Sequence, residues 1–203
     1  MRTNNYDKMV ADARKIFLTY DQKKMTEKFH LKTDNGYLYL RFIGREYRLT
    51  LADGVLDRQA AGGWERAGFD ETMSIYDMLC YSTERPELSG QYVILESLSR
   101  VHGRGVQSGD MYRTYAEYFD GRTDALKKAC EALGGIPGEK GDVSFLIPVF
   151  DFFPVCVRFW ESDEDFPASL QFFMDRNALD FLHFETLWYV VSCLCGRLKA
   201  YME

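Results

Sequence analysis

Residues 143–160 read VSFLIPVFDFFPVCVRFW, and this stretch decides the fold. It contains two runs of strand-like residues, Val143 to Phe150 and Val155 to Trp160, and a third run, Leu170 to Met174, follows after a short acidic segment. Short connections between β-branched and aromatic runs favour antiparallel neighbours. Ten of the 15 phenylalanines follow Val143. The sequence therefore predicts a three-strand meander that forms the densest part of the core.

Two patterns on either side of the meander complete the predicted fold. Residues 184–202 are predicted to form a helix that is apolar nearly all round between Leu187 and Leu194, as expected of a helix packed inside a fold. Before the meander, residues 37–43 and 46–52 alternate as strands and are separated by Gly44-Arg45, which favours a hairpin with a type II′ turn. We predict a single α+β domain over residues 1–203, with a mostly antiparallel sheet and about five helices.

The remaining predicted helices lie in the first two thirds of the chain. An apolar stripe from Tyr6 to Tyr20 indicates the first helix, and Ser74 is predicted to cap the second. Two more are predicted after Asp110 and from Thr123 to Leu133. Residues 53–70 are rich in Gly and Ala, and we expect them to run over the surface.

Composition excludes several classes of function. The 25 Lys and Arg against 31 Asp and Glu give a net charge of −6, which disfavours a nucleic acid partner. The longest apolar helical run, residues 186–196, is too short to span a bilayer, and the first 15 residues lack the apolar core of a signal peptide. Five cysteines with irregular spacing are typical of free thiols in a reducing compartment. We therefore expect a cytoplasmic protein without membrane contact.

Six short motifs carry a resemblance to a known family. They are SIYDML (74–79), LGG (133–135), LIP (146–148), DEDFP (163–167), FMD (173–175) and LHFE (182–185). With these motifs the chain resembles, from about Tyr37 onward, an uncharacterised bacterial domain-of-unknown-function family. The resemblance implies a setting near iron–sulfur or corrinoid proteins, because some members follow a four-cysteine segment of the iron–sulfur type. That segment is absent here, and the resemblance supplies no catalytic residues.

An acidic segment is the first candidate site. Asp163, Glu164 and Asp165 precede a proline, Asp175 lies one strand later, and His183 and Glu185 follow. Clustered carboxylates suit Mg²⁺ or Ca²⁺ and can also perform acid–base chemistry, so one hypothesis is a metal-assisted enzyme. The other interpretation is a solvated turn, with Asp175 as a helix cap.

Cysteine, histidine and glycine patterns give weaker candidates. Cys193 and Cys195 lie two positions apart, so on a helix they point in different directions and are predicted core thiols. The loop with His102 and Arg104 precedes a helix, as phosphate-binding loops do, but it matches no phosphate motif and is predicted to be flexible. His183 beside Glu185 is predicted to be a capping or surface pair rather than a general base.

Aromatic residues around the meander turns are the last candidates. If exposed, they would form a ligand or partner surface, and if buried they belong to the core: Phe150, Phe152, Phe153, Trp160 and Phe166. Our leading hypothesis is a non-catalytic accessory or binding domain with no metal or cofactor, whose partner is an unknown protein or small molecule. The alternatives are the metal-assisted enzyme and a partner of corrinoid or iron–sulfur proteins. The oligomeric state stays open.

Overall fold

Ten strands form one antiparallel sheet in the computed structural model, which describes residues 5–99 and 109–203. The strands are β1 (Lys32–Asp34), β2 (Tyr37–Phe42), β3 (Arg45–Thr50), β4 (Leu56–Ala60), β5 (Gly63–Arg66), β6 (Tyr92–Ile94), β7 (Ile136–Pro137), β8 (Val143–Phe150), β9 (Phe153–Trp160) and β10 (Ser169–Asp175). Their order is β5-β4-β3-β2-β8-β9-β10-β6, with β1 also beside β2 and β7 also beside β8. The predicted hairpin (β2–β3), meander (β8–β9–β10) and α+β class are confirmed.

Six α-helices occur in the described ranges, one more than predicted. They are α1 (Asn5–Thr19), α2 (Gln22–Lys28), α3 (Phe69–Tyr81), α4 (Gly109–Phe119), α5 (Thr123–Ala132) and α6 (Phe184–Met202). In the helical layer α1 packs on α3, α3 on α6 and α6 on α5. The C-terminal helix α6 has the predicted bounds and is largely buried. No helix in the described part of the chain is both long and apolar enough to cross a membrane.

The helices cover one face of the sheet. In β9, Phe153, Val155, Val157 and Phe159 are buried, whereas the alternate residues are only half-buried. Helix α4 contributes Phe119, whose ring lies 6.2 Å from that of Phe159. Each fully buried Val or Phe side chain stabilises the fold by about 1.5–3 kcal/mol relative to an exposed one. The alternation in the strands therefore fixes which face receives the helices.

The turn of the first hairpin differs from the prediction. Its two loop residues are Ile43 and Gly44, one position earlier than expected, and both have positive φ, 46° and 70°. Two positive φ values are typical of a type I′ turn rather than a type II′ turn. Ile43 holds this conformation, which β-branched residues rarely adopt, because its side chain is buried and its N–H donates to Val149 O at 2.8 Å.

Residues 53–70 lie mostly at the surface, as predicted, but they contain regular structure that the sequence did not indicate. They form the β4–β5 hairpin and then begin α3 at Phe69. The strand pattern is hard to see in the sequence because charged side chains pair across the hairpin, where Arg58 Nε lies 2.8 Å from Glu65 Oε1. Such cross-strand pairs stabilise a strand without the usual apolar alternation.

Helix α3 begins five residues before the predicted start at Ser74. Ser74 is buried inside the helix, and its hydroxyl donates to the Asp70 carbonyl at 2.7 Å. The N-cap residue of α3 is Gly68, and Glu71 in the first turn accepts the Gly68 N–H through its Oε2 at 2.7 Å. The sequence pattern failed here because Ser can bond to the carbonyl four residues earlier as well as cap a helix.

Candidate functional site

The acidic segment forms a turn between β9 and β10. Asp163 Oδ1 accepts the N–H groups of Asp165 at 2.9 Å and Phe166 at 2.7 Å, and Glu164 is exposed beside them. Carboxylates that accept neighbouring N–H groups in this way are typical of Asx turns. The geometry is that of the solvated turn, the second of the two interpretations.

Asp175 lies at the opposite end of β10 from this turn. The strand is seven residues long, which separates its ends by about 20 Å. Asp175 is fully buried and accepts hydrogen bonds from backbone N–H groups, so it cannot share a cation with Asp163. Across the described residues, no group of three or more His, Cys, Asp or Glu side chains is placed to hold a metal ion. The acidic residues near Asp163, with His183 and Glu185, are thus not assembled into one site.

His183 pairs with Asp77 rather than with its sequence neighbour Glu185. Its ring Nδ1 lies 2.6 Å from Asp77 Oδ1, and its backbone N–H donates to Asp77 Oδ2 at 2.8 Å. Asp77 is nearly buried on α3, whereas the His183 side chain is 58% exposed and packs 4.9 Å from the Tyr81 ring. The carboxylate orients the imidazole as in acid–base sites. Among the described residues, however, the ring has no hydroxyl or thiol as a hydrogen-bond partner.

The five aromatic candidates do not form one surface. Phe150 and Phe153 are buried, and Phe152 is half-buried and stacks on Phe150 with ring centroids 5.7 Å apart. Trp160 and Phe166 lie at the other end of β9, where Phe166 is 70% exposed. The strand of eight residues separates the two groups by about 20 Å or more. A small ligand therefore cannot contact both turns at once, because the length of β9 separates them.

The remaining predicted site residues are the loop pair His102 and Arg104 and the two neighbouring cysteines. His102 and Arg104 lie outside the described residues. Cys193 and Cys195 lie on α6, and burial raises the pKa of both thiols. A raised pKa keeps a thiol protonated and poorly reactive at neutral pH. Their placement fits the predicted core thiols.

Glu71 is the centre of a buried polar network that the sequence did not reveal. Its Oε1 accepts the Tyr47 hydroxyl at 2.6 Å and its Oε2 lies 2.9 Å from Arg58 Nη1, while Arg197 Nη2 lies 3.5 Å from Oε1. Burial alone would raise the pKa of Glu71, but hydrogen bonds from Tyr47, the Gly68 N–H and Arg58 hold it below its ordinary value. The carboxylate therefore stays ionised and holds two arginines in place.

These arginines line an open cleft between α3, α6 and the start of β3. Arg45, Arg58 and Arg197 reach it from three separate elements, and Asp70 and Glu71 are its acidic residues. The cleft, which we call the arginine cleft, has a volume of about 500 Å³. Sequence reasoning missed it because Arg197 is far from Arg45 and Arg58 along the chain, and no motif joins them.

Helix α1 leaves much of its apolar stripe uncovered. Only Phe17 is fully buried, with its ring 6.0 Å from that of Tyr76 on α3. Met9 and Ile16 lie on one side of the helix, and Tyr20, which follows its last residue, contacts Tyr81 with ring centroids 6.3 Å apart. These side chains are between 36% and 47% exposed, and we call them the α1–α3 patch: Met9, Ile16, Tyr20 and Tyr81.

The fold and these surfaces define an α+β protein in which helices cover one face of an antiparallel sheet. Residues 21–197 match a family described as a domain of unknown function (DUF3786), and the chain belongs to that family. The resemblance drawn from the six motifs is thereby confirmed. The three arginines of the cleft and the Asp77–His183 pair lie inside the matched segment, whereas α1 begins before it. No curated protein and no solved structure matches the chain.

Proposed function

We propose that this protein is a non-catalytic, cytoplasmic accessory domain that binds a partner protein through the α1–α3 patch. The observation that carries the proposal is the exposure of Met9 and Ile16 on one side of α1, together with the contact between the exposed rings of Tyr20 and Tyr81. Contiguous exposed apolar side chains are uncommon on soluble proteins and mark sites of association. All five cysteines are free thiols, which supports a reducing compartment.

The composition of the patch supports a protein partner. It contains two tyrosines, and Tyr and Met are enriched where proteins meet. His183 lies at its border, 4.9 Å from Tyr81, and supplies a polar rim. Both Asp77 carboxylate oxygens are used in holding the start of α6, which favours a structural role for that pair. The family resemblance makes an iron–sulfur or corrinoid protein the first partner class to test.

The test compares the amount of partner protein captured by the wild type, by a variant of the patch and by a control variant. Ile16→Glu combined with Tyr81→Glu places charge in the patch. Leu88→Glu is the matched control, because Leu88 is a similarly exposed apolar residue (39%) outside the patch, in the loop between α3 and β6. We expect a partner retained by the wild type and by Leu88→Glu to be lost from the double variant, with unchanged circular dichroism. The captured protein, purified, should bind the wild type with a fixed stoichiometry by calorimetry.

Two results would contradict the proposal. One is that the purified partner binds the double variant as strongly as it binds the wild type. The other is the absence of any stoichiometric partner. An absorption spectrum of the partner would show whether it carries an iron–sulfur cluster or a corrinoid.

A further inference from the structure

The arginine cleft has an excess of cations although the whole chain is acidic. Three arginines line it against two acidic residues, Asp70 and Glu71, whereas the chain carries a net charge of −6. Its acidic groups are already engaged, since Asp70 Oδ2 accepts the Ser192 hydroxyl at 2.9 Å and Glu71 binds four donors. Arg58 also pairs with Glu65 at 2.8 Å, so Arg45 is the cleft arginine without an ion pair to any described residue, and the local field favours an anion beside it.

Two of the three arginines have hydrogen-bonding capacity to spare. The Arg197 side chain is 11% exposed, yet its one ion pair in the described ranges is the 3.5 Å contact with Glu71. Arg45 has no side-chain hydrogen bond or ion pair to any described residue. A guanidinium carries five N–H donors, and an anion that reaches unused donors gains charge-assisted hydrogen bonds. An anion between Arg45 and Arg197 would satisfy them.

The position of these arginines also makes room for a ligand. Arg45, Arg197 and Ala200 line both this cleft and the adjoining opening next to Ala60 and Tyr201. Small and apolar side chains around the arginines leave space for a carbon skeleton beside the charged group: Phe69, Cys193, Gly196 and Ala200. The adjoining opening is lined by the same two arginines and by no acidic residue.

We propose that the arginine cleft binds a small organic anion whose carboxylate or phosphate group is held between Arg45 and Arg197. Both groups match the planar fork of arginine. Glu71 positions Arg58 and Arg197 beside the proposed anion, because its carboxylate forms an ion pair with each guanidinium group. The cleft does not include the α1–α3 patch, so the anion site and the partner surface stand or fall separately.

The test is anion titration of the full chain at constant ionic strength. Sodium phosphate and sodium succinate are each titrated against a sodium chloride reference, with the melting temperature and calorimetric heat as readouts. We expect saturable binding that Arg45→Gln weakens by about tenfold or more, since a charge-assisted hydrogen bond of about 1.5–3 kcal/mol is lost. Arg45→Gln should fold normally because Arg45 has no partner among the described residues.

Two further variants separate charge from shape. Ala200→Leu fills the cleft without changing its charge and should also weaken binding, whereas Arg85→Gln removes one exposed arginine elsewhere and should leave it unchanged. Saturation by phosphate alone, succinate alone or both supports the site and identifies the preferred head group. The proposal is overturned if neither anion saturates beyond the effect of chloride, or if Arg85→Gln weakens binding as much as Arg45→Gln.

Discussion

Asp175 connects the end of β10 to the loop that follows α3. Its carboxylate accepts the Ser89 N–H and hydroxyl at 2.9 Å each, and the Gly90 and Asn177 N–H groups at 2.8 Å each. We expect Asp175→Asn to lower the free energy of unfolding by about 2–4 kcal/mol, because its amide group would face N–H donors. Urea denaturation measures this loss, and Asp163→Asn in the exposed turn should cost less than about 1 kcal/mol.

The same carboxylate makes stability depend on pH. Burial would raise the pKa of Asp175, but the hydrogen bonds from Ser89, Asn177 and Gly90 lower it below its ordinary value. A depressed folded-state pKa contributes stability above the unfolded value of about 3.9 and loses it as the pH falls through the folded value. We expect the urea midpoints of the wild type and Asp175→Asn to converge below about pH 4. A constant difference from pH 7 to pH 3 would contradict this account.

Single residues show where sequence reasoning stops. The sequence identified Asp175 as a metal ligand or a cap, but its partners Ser89 and Gly90 lie more than 80 positions away. His183 was likewise singled out, whereas its partner Asp77 was not recognised as one. The types of these residues indicate that they need partners. Which partners they find depends on how distant elements pack.

The start of α3 depends on Glu71 rather than on Ser74. Removing Glu71 leaves Arg58 and Arg197 without their carboxylate and Gly68 N–H without its acceptor, so we expect Glu71→Ala to cost about 3–5 kcal/mol. Ser74→Ala should change stability by less than about 0.5 kcal/mol, because its hydroxyl only adds a bond to a carbonyl already inside the helix. Chemical denaturation of the two variants compares them. A larger loss for Ser74→Ala would show that the predicted cap is the true one.

The start of α6 depends on Asp77 of α3. Asp77→Ala removes both the acceptor of the His183 N–H and the partner of its ring, and we expect a loss of about 1–3 kcal/mol. His183→Ala should cost less, because its backbone N–H can still donate to Asp77. A double-mutant cycle gives the coupling energy between the two side chains. Additive losses in the cycle would mean that the ring and the carboxylate do not interact in solution.

Helices and strands were predictable where one pattern of apolar residues dominates a stretch of sequence. The bounds of α6 and β8 follow from continuous apolar or β-branched runs, and these were predicted to the residue. The hairpin β4–β5 was missed because the charged cross-strand pair Arg58–Glu65 interrupts the usual apolar alternation. Helix α1 was predicted as a helix, but its stripe did not indicate that Met9 and Ile16 stay exposed. Periodicity locates an element, whereas burial depends on its neighbours.

At the scale of the whole molecule, the candidate surfaces come from elements far apart in sequence. The arginine cleft combines β3, β4 and α6, and the α1–α3 patch combines α1 with the end of α3. No local spacing encodes either surface, since each depends on the order of helices over the sheet. The fold class was predictable from patterns within elements. The sites were not, because they lie between elements.

The sheet itself is joined across its centre by a short contact between β2 and β8. Phe42 pairs with Phe150, their ring centroids are 4.8 Å apart, and Ile43 N–H donates to Val149 O. Phe150 is 1% exposed, so Phe150→Ala would leave a cavity where the two halves meet, at a cost of about 3–5 kcal/mol. Phe166→Ala is the matched control at an exposed turn and should be near neutral.

Urea denaturation followed by both circular dichroism and tryptophan fluorescence measures this effect. The fluorescence reports on all three tryptophans: Trp64 lies in the half of the sheet before the junction, Trp160 in the half after it, and Trp188 on α6. We expect the circular dichroism and fluorescence signals to change together in Phe150→Ala, because the helices link the two halves: Glu71 of α3 binds Tyr47 of β3, α3 packs on α6, and α6 packs on α5, which contacts β8. If Phe150→Ala were no less stable than Phe166→Ala, the junction would not contribute to stability. If the circular dichroism and fluorescence transitions occurred at different urea concentrations, the two halves of the sheet would unfold independently. The helical layer would then be too weak to couple them.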